Sequence, residues 1–293
     1  MYGLETGTVR ANDVLFHYVT MGTGPLLVCL HGFPDHAFSF RRQLEHFSAL
    51  GYRVVAPFMR GYAPTVTPAN ATFHIADLAH DVVEFVKAMG AARATLLGHD
   101  WGAHAAYGAA LLAPEMFDCI VTLAAPYGPA FRRSLRTDYD QQKRSWYMFF
   151  LQSQLGESAF ATDGFAMVEQ LWRDWSPGWD PPSDAIATLR ATFVASGVAP
   201  LAYYRCAFGT SAECCSDAGL QRRIGRDSVR VPCLSLHGRD DRCIGFDVSG
   251  DMAGFFPAGL ERRVIAGVGH FLHLERPDEI NAIVADYLLG RGG

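Results

Sequence analysis

The sequence predicts an α/β fold in which a mostly parallel, doubly wound sheet is interrupted by a helical insertion. Three observations carry this. Several short runs are apolar at every position, as strands of a sheet covered on both faces must be. Those runs alternate with segments of helical periodicity, the βαβα order of a parallel sheet. Midway the alternation stops and only helical signals remain, until strand patterns return near the end.

Residues 14–19 and 26–30 read as strands, the second, Leu26-Leu27-Val28-Cys29-Leu30, without a polar position. A helix over 39–50 and a short strand over 53–57 follow. Residues 75–89 set Leu78, Val82, Val83, Phe85 and Val86 at helical spacing and stop at Gly90, a C-cap signal. Next come a strand over 94–97, a helix over 102–112 and a strand over 119–123. The helix is rich in alanine, which permits tight packing on a sheet. After Pro126 the apolar runs read as helices, with Trp and Tyr scattered through them and breaks at Pro177, Pro181 and Pro182. Strands return over 229–236 and 261–265, and a helix closes the pattern over 277–289. The expected organisation is a core made of residues 1–129 and 227–293 with a helical cap over 130–226. Such an insertion covers the carboxyl edge of the strands, where open α/β sheets bind ligands.

The 293 residues suit one core domain with an inserted segment, and 49% apolar with 19% charged residues is the balance of a globular protein. A net charge of -5 and a pI of about 6.1 give no attraction to nucleic acid or an anionic membrane. No apolar run approaches the length of a membrane span, and residues 1–10 lack the apolar core of a signal peptide. The seven cysteines are odd in number and unpaired in spacing. Cys29, Cys119 and Cys233 fall in strand-like runs as small hydrophobes, and Cys214-Cys215 is too isolated for a metal site. A reducing, cytoplasmic setting is the expectation. The sequence allows a homodimer and does not set the oligomeric state.

Gly98-His99-Asp100-Trp101-Gly102 joins a strand to a helix in the form G-x-D-x-G, a nucleophile elbow with Asp where most hydrolases place Ser. The glycines permit a turn sharp enough to aim Asp100 outward at the top of the sheet. The helix N-terminus behind it favours negative charge. Asp100 could instead serve as the helix N-cap. The residue type carries chemical meaning. A serine attacking an alkyl carbon leaves an ether that water cannot cleave, whereas a carboxylate leaves an ester that water cleaves at the enzyme's own carbonyl carbon. The carboxylate is ionised at neutral pH without a base. Asp100 therefore points to substitution at an sp³ carbon, in an epoxide, a haloalkane or a haloacid.

Hydrolysis of that ester needs a base to activate water. His270, in the glycine-rich turn Gly267-Val268-Gly269-His270-Phe271, follows the last predicted strand and comes after the nucleophile in the chain. His273, three residues on, reads as a satisfied loop histidine. The loop His237-Gly238-Arg239-Asp240-Asp241-Arg242 supplies the acid that would orient His270, with Asp241 the choice and Asp240 the reserve. The turn Leu30-His31-Gly32-Phe33-Pro34 can aim the Phe33 N–H into the site beside that of Trp101, an oxyanion hole for ester hydrolysis. It could also be a simple loop.

The motifs HGFP, GHDWG and GHFLHLE, in this order and spacing, resemble the α/β-hydrolase superfamily and, within it, the soluble epoxide hydrolases. The resemblance covers nearly the whole chain and is weakest in the insertion. It implies a helical cap between the sixth and seventh core strands and a cis peptide at Phe33-Pro34. It also implies two cap tyrosines that bind the epoxide oxygen and protonate it as the ring opens. Trp146-Tyr147-Met148-Phe149-Phe150 is similar to the segment carrying the first tyrosine, and Tyr203-Tyr204-Arg205 to the segment carrying the second. Tyr147 and Tyr204 are the candidates, with Tyr203 the alternative to Tyr204. The stretch Phe58-Met59-Arg60-Gly61-Tyr62-Ala63-Pro64-Thr65 departs from the family pattern, which often has an acidic residue before the Arg-Gly. It is expected to lie outside the chemistry.

These residues together predict conversion of an apolar epoxide and water to a vicinal diol, without metal or organic cofactor. Phe33, Trp101, Trp146, Phe149, Phe150 and Tyr203 are the expected lining of an apolar pocket. Haloalkane dehalogenases share the Asp nucleophile and the following Trp, but often carry a polar halide partner where Phe33 stands. Fluoroacetate-type dehalogenases usually have Arg after the nucleophile. A non-catalytic ligand-binding member of the fold is the rival from another class, and the intact Asp100, Asp241 and His270 set argues against it.

Overall fold

The computed structural model describes residues 3–209 and 215–290. Eight strands form one sheet in the order β1-β2-β4-β3-β5-β6-β7-β8. They are β1 (Glu5–Ala11), β2 (Val14–Met21), β3 (Leu26–Leu30), β4 (Arg53–Pro57), β5 (Ala94–His99), β6 (Phe117–Leu123), β7 (Cys233–Gly238) and β8 (Leu260–Ile265). β1 pairs antiparallel with β2 and β2 antiparallel with β4, and every other pairing is parallel. The helices of the first part are α1 (Arg41–Ala49), α2 (Ile75–Ala88) and α3 (Trp101–Leu112). All five residues of β3 and all six of β5 and β7 are buried, because helices cover both faces.

Three expectations on the core need correction. Residues 5–11 form a strand the sequence did not announce. Its Glu-Thr-Gly-Thr-Val-Arg-Ala run lies at the sheet edge and buries only Ala11 fully. Asn12 and Asp13, both at positive φ (47° and 62°), turn it into β2 as a two-residue hairpin. The helix expected over 39–50 begins as a 3-10 turn, Ala37–Phe40, before α1. Of the strand expected over 229–236, only Cys233 onward pairs. Pro232 has no N–H to donate and offers its carbonyl to Ile120 instead.

Between β6 and β7 the chain forms eight helices among the described residues, α4 (Ala130–Thr137), α5 (Tyr139–Arg144), α6 (Trp146–Phe150), α7 (Gln154–Phe165), α8 (Met167–Trp175), α9 (Ser183–Ser196), α10 (Ala202–Phe208) and α11 (Ala218–Arg223). α12 (Leu272–Glu275) and α13 (Pro277–Leu289) follow β8. Trp172 Nε1 donates to the Pro34 carbonyl at 2.6 Å, and the Trp175 carbonyl accepts from both Arg242 N–H (3.1 Å) and His270 N–H (3.2 Å). The C-terminal end of α8 is thus bonded to three loops at the carboxyl edge of the sheet. Among the described residues no single helix is long and apolar enough to cross a membrane. Cys29, Cys119 and Cys233 are buried in strands, and Cys214 lies outside the described residues.

Candidate active site

β5 ends at His99, and Asp100 takes φ 51° and ψ -117° before α3 begins at Trp101. That left-handed backbone is unusual for a non-glycine residue and is held because the neighbours dictate it. A side chain at Gly102 would run into the Leu30 and His31 carbonyls, and one at Gly32 into the Asp100 carboxylate. Both glycines therefore set how closely the elbow and the β3 turn approach. The Asp100 side chain makes no capping hydrogen bond, so the N-cap alternative fails. Its Oδ1 accepts the Phe33 N–H at 2.8 Å, and the Trp101 N–H also faces the carboxylate. Burial holds the Asp100 carboxyl above its ordinary pKa, against the fields of His270 and His99 and the two N–H groups.

His270 lies on the loop after β8. Its Nδ1 donates to Asp241 Oδ2 at 2.9 Å, and its Nε2 stands 3.9 Å from Asp100 Oδ2 with no hydrogen-bond partner. Asp241 Oδ1 accepts the N–H groups of Cys243 (2.7 Å) and Ile244 (2.9 Å), which fixes the carboxylate in its loop. Asp240, the reserve, is exposed. Burial pushes the His270 imidazole down, and the Asp241 carboxylate more than reverses this, leaving it above its usual pKa. Asp241, despite burial, is held well below the carboxylate range by His270 and His237. Glu275 accepts the Gly269 N–H at 2.8 Å and the Ser176 hydroxyl at 2.6 Å, pinning the turn that carries His270.

Tyr147 and Tyr204 are fully buried, with ring centroids 5.5 Å apart, and Tyr204 lies 5.2 Å from Phe33 and 5.4 Å from Trp101. The Tyr204 hydroxyl makes no hydrogen bond, although Trp101 and Tyr147 approach it. Tyr147 meets Cys243 Sγ at 3.2 Å. Burial raises both phenols well above their ordinary pKa, and the Asp100 charge adds to this, so both stay protonated. The Tyr203 hydroxyl is already engaged, donating to the Arg60 carbonyl at 2.8 Å. It has no donor left for a ligand, although its ring packs at 5.4 Å from Trp101.

Several expectations change. Trp146 and Phe149 are 45% and 53% exposed and do not line the pocket. Helical geometry turns Tyr147, Met148 and Leu151 inward, and residues one before and two after Tyr147 point away. Trp146 packs on the half-buried Phe150, and Phe149 on Phe208. The rings that surround Phe33 are Phe160, Trp175, Phe193 and Tyr204. The 58–65 stretch does reach the site, because the Tyr62 hydroxyl donates to the Gly32 carbonyl at 3.1 Å. The peptides Phe33-Pro34 and Ala63-Pro64 are cis. His273 is not a satisfied loop residue. It is buried, without a hydrogen bond at either ring nitrogen, and its Nε2 lies 3.5 Å from Asp35 Oδ2.

Sequence reasoning missed the group Asp35, His99 and His273, all buried behind Asp100 and His270. His99 Nε2 faces the His270 carbonyl at 3.1 Å, and His99 Nδ1 lies 3.6 Å from Asp35 Oδ2. Burial lowers His99 to about 4, so the ring is neutral and has one proton to give, with an acceptor at each ring nitrogen and the nearer one at Nε2. The available signal was adjacency: Asp35 follows the HGFP turn and His99 precedes the nucleophile. Cys243 carried no signal of its own.

A family model described as "alpha/beta hydrolase fold" matches residues 25–277. Epoxide hydrolase 3 of Siraitia grosvenorii is 30% identical over 97% of this chain and 98% of its own. Epoxide hydrolase 3 of Xenopus tropicalis is 29% identical over 97% of this chain and 78% of its own. Among solved structures, an epoxide hydrolase from Bacillus megaterium in complex with an inhibitor superposes with a TM-score of 0.83 at 26% identity, covering 97% of this chain and all of that one (100%).

Proposed function

This chain belongs to the alpha/beta hydrolase fold family, and on that premise we propose that it is an epoxide hydrolase, converting an apolar epoxide to a vicinal diol through an ester on Asp100. The observation that carries the reading is the buried Tyr204 hydroxyl without a hydrogen-bond partner, paired with Tyr147 beside a carboxylate nucleophile. An epoxide oxygen leaves as an alkoxide and needs a proton donor, which two neutral phenols supply. A departing halide needs no proton.

Asp100 attacks a ring carbon as the carbon–oxygen bond opens, and the released oxygen takes a proton from Tyr147 or Tyr204. Asp241 does most to raise the His270 pKa and the Asp100 charge adds to it, so the ester on Asp100 removes the lesser of these charges and eases the imidazole toward the neutral form when it is needed as a base. His270, oriented by Asp241, then deprotonates a water that attacks the Asp100 carbonyl carbon. The carbonyl oxygen held by the Phe33 and Trp101 N–H groups takes up the negative charge. As the ester breaks, one proton of the water reaches the departing diol oxygen and the other restores the phenol. Asp100 keeps one oxygen from water.

In this reading residues 130–226 are the cap over a core of 1–129 and 227–293, and its bonds from Trp172 and Trp175 to the strand-end loops support that division. A cytoplasmic setting is supported by Cys29, Cys233 and Cys243, which are buried as thiols.

The test is diol formation from styrene oxide and a small epoxide panel, with halide release from 1-bromobutane in parallel, comparing wild type with Asp100→Ala. Diol formation that disappears in the variant, without halide release, is the expected result. Halide release without diol would overturn the reading in favour of a dehalogenase. In a single turnover in oxygen-labelled water the label should enter Asp100. Label appearing first in the diol would sink the ester.

A further inference from the structure

Cys243 is assigned no step in the proposed reaction, yet it stands inside the site, its sulfur 3.2 Å from the Tyr147 hydroxyl. It lies two residues after Asp241, and the bond from its own N–H to Asp241 Oδ1 (2.7 Å) fixes where its side chain starts. It is fully buried. Its sulfur, a carboxylate oxygen of Asp241 and a ring nitrogen of His270 all lie within 4.8 Å of one another. A thiol, a carboxylate and an imidazole are the donor set of zinc and of softer divalent ions, which hold such ligands at about 2.0–2.3 Å. Thiolate and carboxylate together balance a charge of two. His270 Nε2 is also buried without a hydrogen-bond partner, 3.9 Å from Asp100 Oδ2, so a further oxygen stands nearby.

We propose that Asp241, Cys243 and His270 form a binding site for a thiophilic divalent cation, Zn²⁺ or Cd²⁺, and that its occupation stops turnover. On binding, the Cys243 thiol releases its proton to solvent and a sulfur–metal bond replaces it. The bond to His270 removes either the nitrogen that takes the proton from water or the one that Asp241 orients. A solvent-open recess of about 480 Å³, with Arg144, Arg239, Asp240 and Arg242 in its wall, adjoins the loop that carries Asp241, whose side chain is itself buried. The inhibitory half of the proposal rests on the epoxide hydrolase reading, and the binding half does not.

The test is a titration of the purified protein with CdCl₂ at equilibrium, following the ultraviolet absorption of the thiolate–cadmium bond, alongside diol formation. The wild type is expected to bind one Cd²⁺ with growth of the band and parallel loss of turnover, both reversed by EDTA. Cys243→Ser and Cys243→Ala, checked for folding by circular dichroism, should lose the band and weaken binding by about tenfold or more. A band that never forms in the wild type, or that persists in both variants, would overturn the site. Cys243-dependent binding with undisturbed turnover would overturn its inhibitory role. A protein with no diol activity at all would refute the proposed function, while the absorption titration would still decide the site.

Discussion

Replacing Asp241 with Asn separates the two halves of the proposed reaction. The amide oxygen can keep the bonds from Cys243 and Ile244 N–H (2.7 and 2.9 Å), so the loop should hold its shape. The amide nitrogen then faces His270 Nδ1, where Asp241 Oδ2 stood at 2.9 Å. Two donors cannot share that position, so the imidazole moves its proton to Nε2, the nitrogen that must accept one from water. The charge matters as well. Two unit charges about 3 Å apart at an effective dielectric near 20 attract by roughly 5–6 kcal/mol, the ceiling on what Asp241 gives the imidazolium. Loss of a general base costs about 100- to 10,000-fold, or about 3–5 kcal/mol. Ester hydrolysis in Asp241→Asn should therefore slow by about 1,000-fold, while ester formation, which does not use His270, should change little. Rapid-quench intact-mass spectrometry after mixing excess enzyme with styrene oxide reads both steps. The protein should gain the mass of one epoxide and keep it. Equal slowing of both steps, or a variant that never holds the adduct, would refute the assignment of Asp241.

Tyr204→Phe and Tyr147→Phe should each slow ester formation by about 10- to 100-fold, and the double variant should form almost none. The same mass measurement reads this, and an unchanged double variant would leave both phenols as packing residues. The pH profile should show hydrolysis rising as pH increases through the His270 pKa, because only the neutral ring accepts a proton. With both phenols raised well above their ordinary value, activity should not fall on the alkaline side below about pH 10. Stopped-flow rates across pH would expose an alkaline fall near neutrality, which is incompatible with these phenols as acids. Beside Tyr203, Arg60 and Asp81 form a buried pair with two hydrogen bonds, at 2.6 and 2.7 Å. Arg60→Met leaves the buried carboxylate without a charge partner and with only the Asn12 amide donating to it, at 2.8 Å, and should cost about 3–5 kcal/mol in urea unfolding. A change under 1 kcal/mol would mean that water reaches Asp81.

What could be read from the chain follows from which interactions are local. β3, β5 and β8 were legible because a strand covered on both faces, or one ending in a glycine turn, writes its environment into consecutive residues. β1 was not, since an exposed edge strand of Thr, Gly and Arg looks like a loop until its partner is known. Asp100 and His270 sit in turns with their own glycine signatures. Asp241 was preferred from the sequence with Asp240 in reserve, and what separates the two is burial, which is not a property of two adjacent aspartates. Trp146 and Phe149 were misjudged because hydrophobicity alone does not say which side of a short helix faces in. Asp35, His273 and Cys243 each lie within a few residues of a motif, but which way their side chains turn is set by strand order and loop path, which the motif does not record.

The Trp175 carbonyl accepts the N–H of Arg242 and the N–H of His270 at once. One backbone oxygen of the insertion therefore steadies both the segment carrying Asp241 and the segment carrying His270. Any displacement of the end of α8 that breaks these bonds also loosens the two segments to which the proposed reaction assigns activation of water. In the proposed reaction, the seating of the insertion on the strand-end loops and the alignment of Asp241 with His270 are therefore one and the same condition.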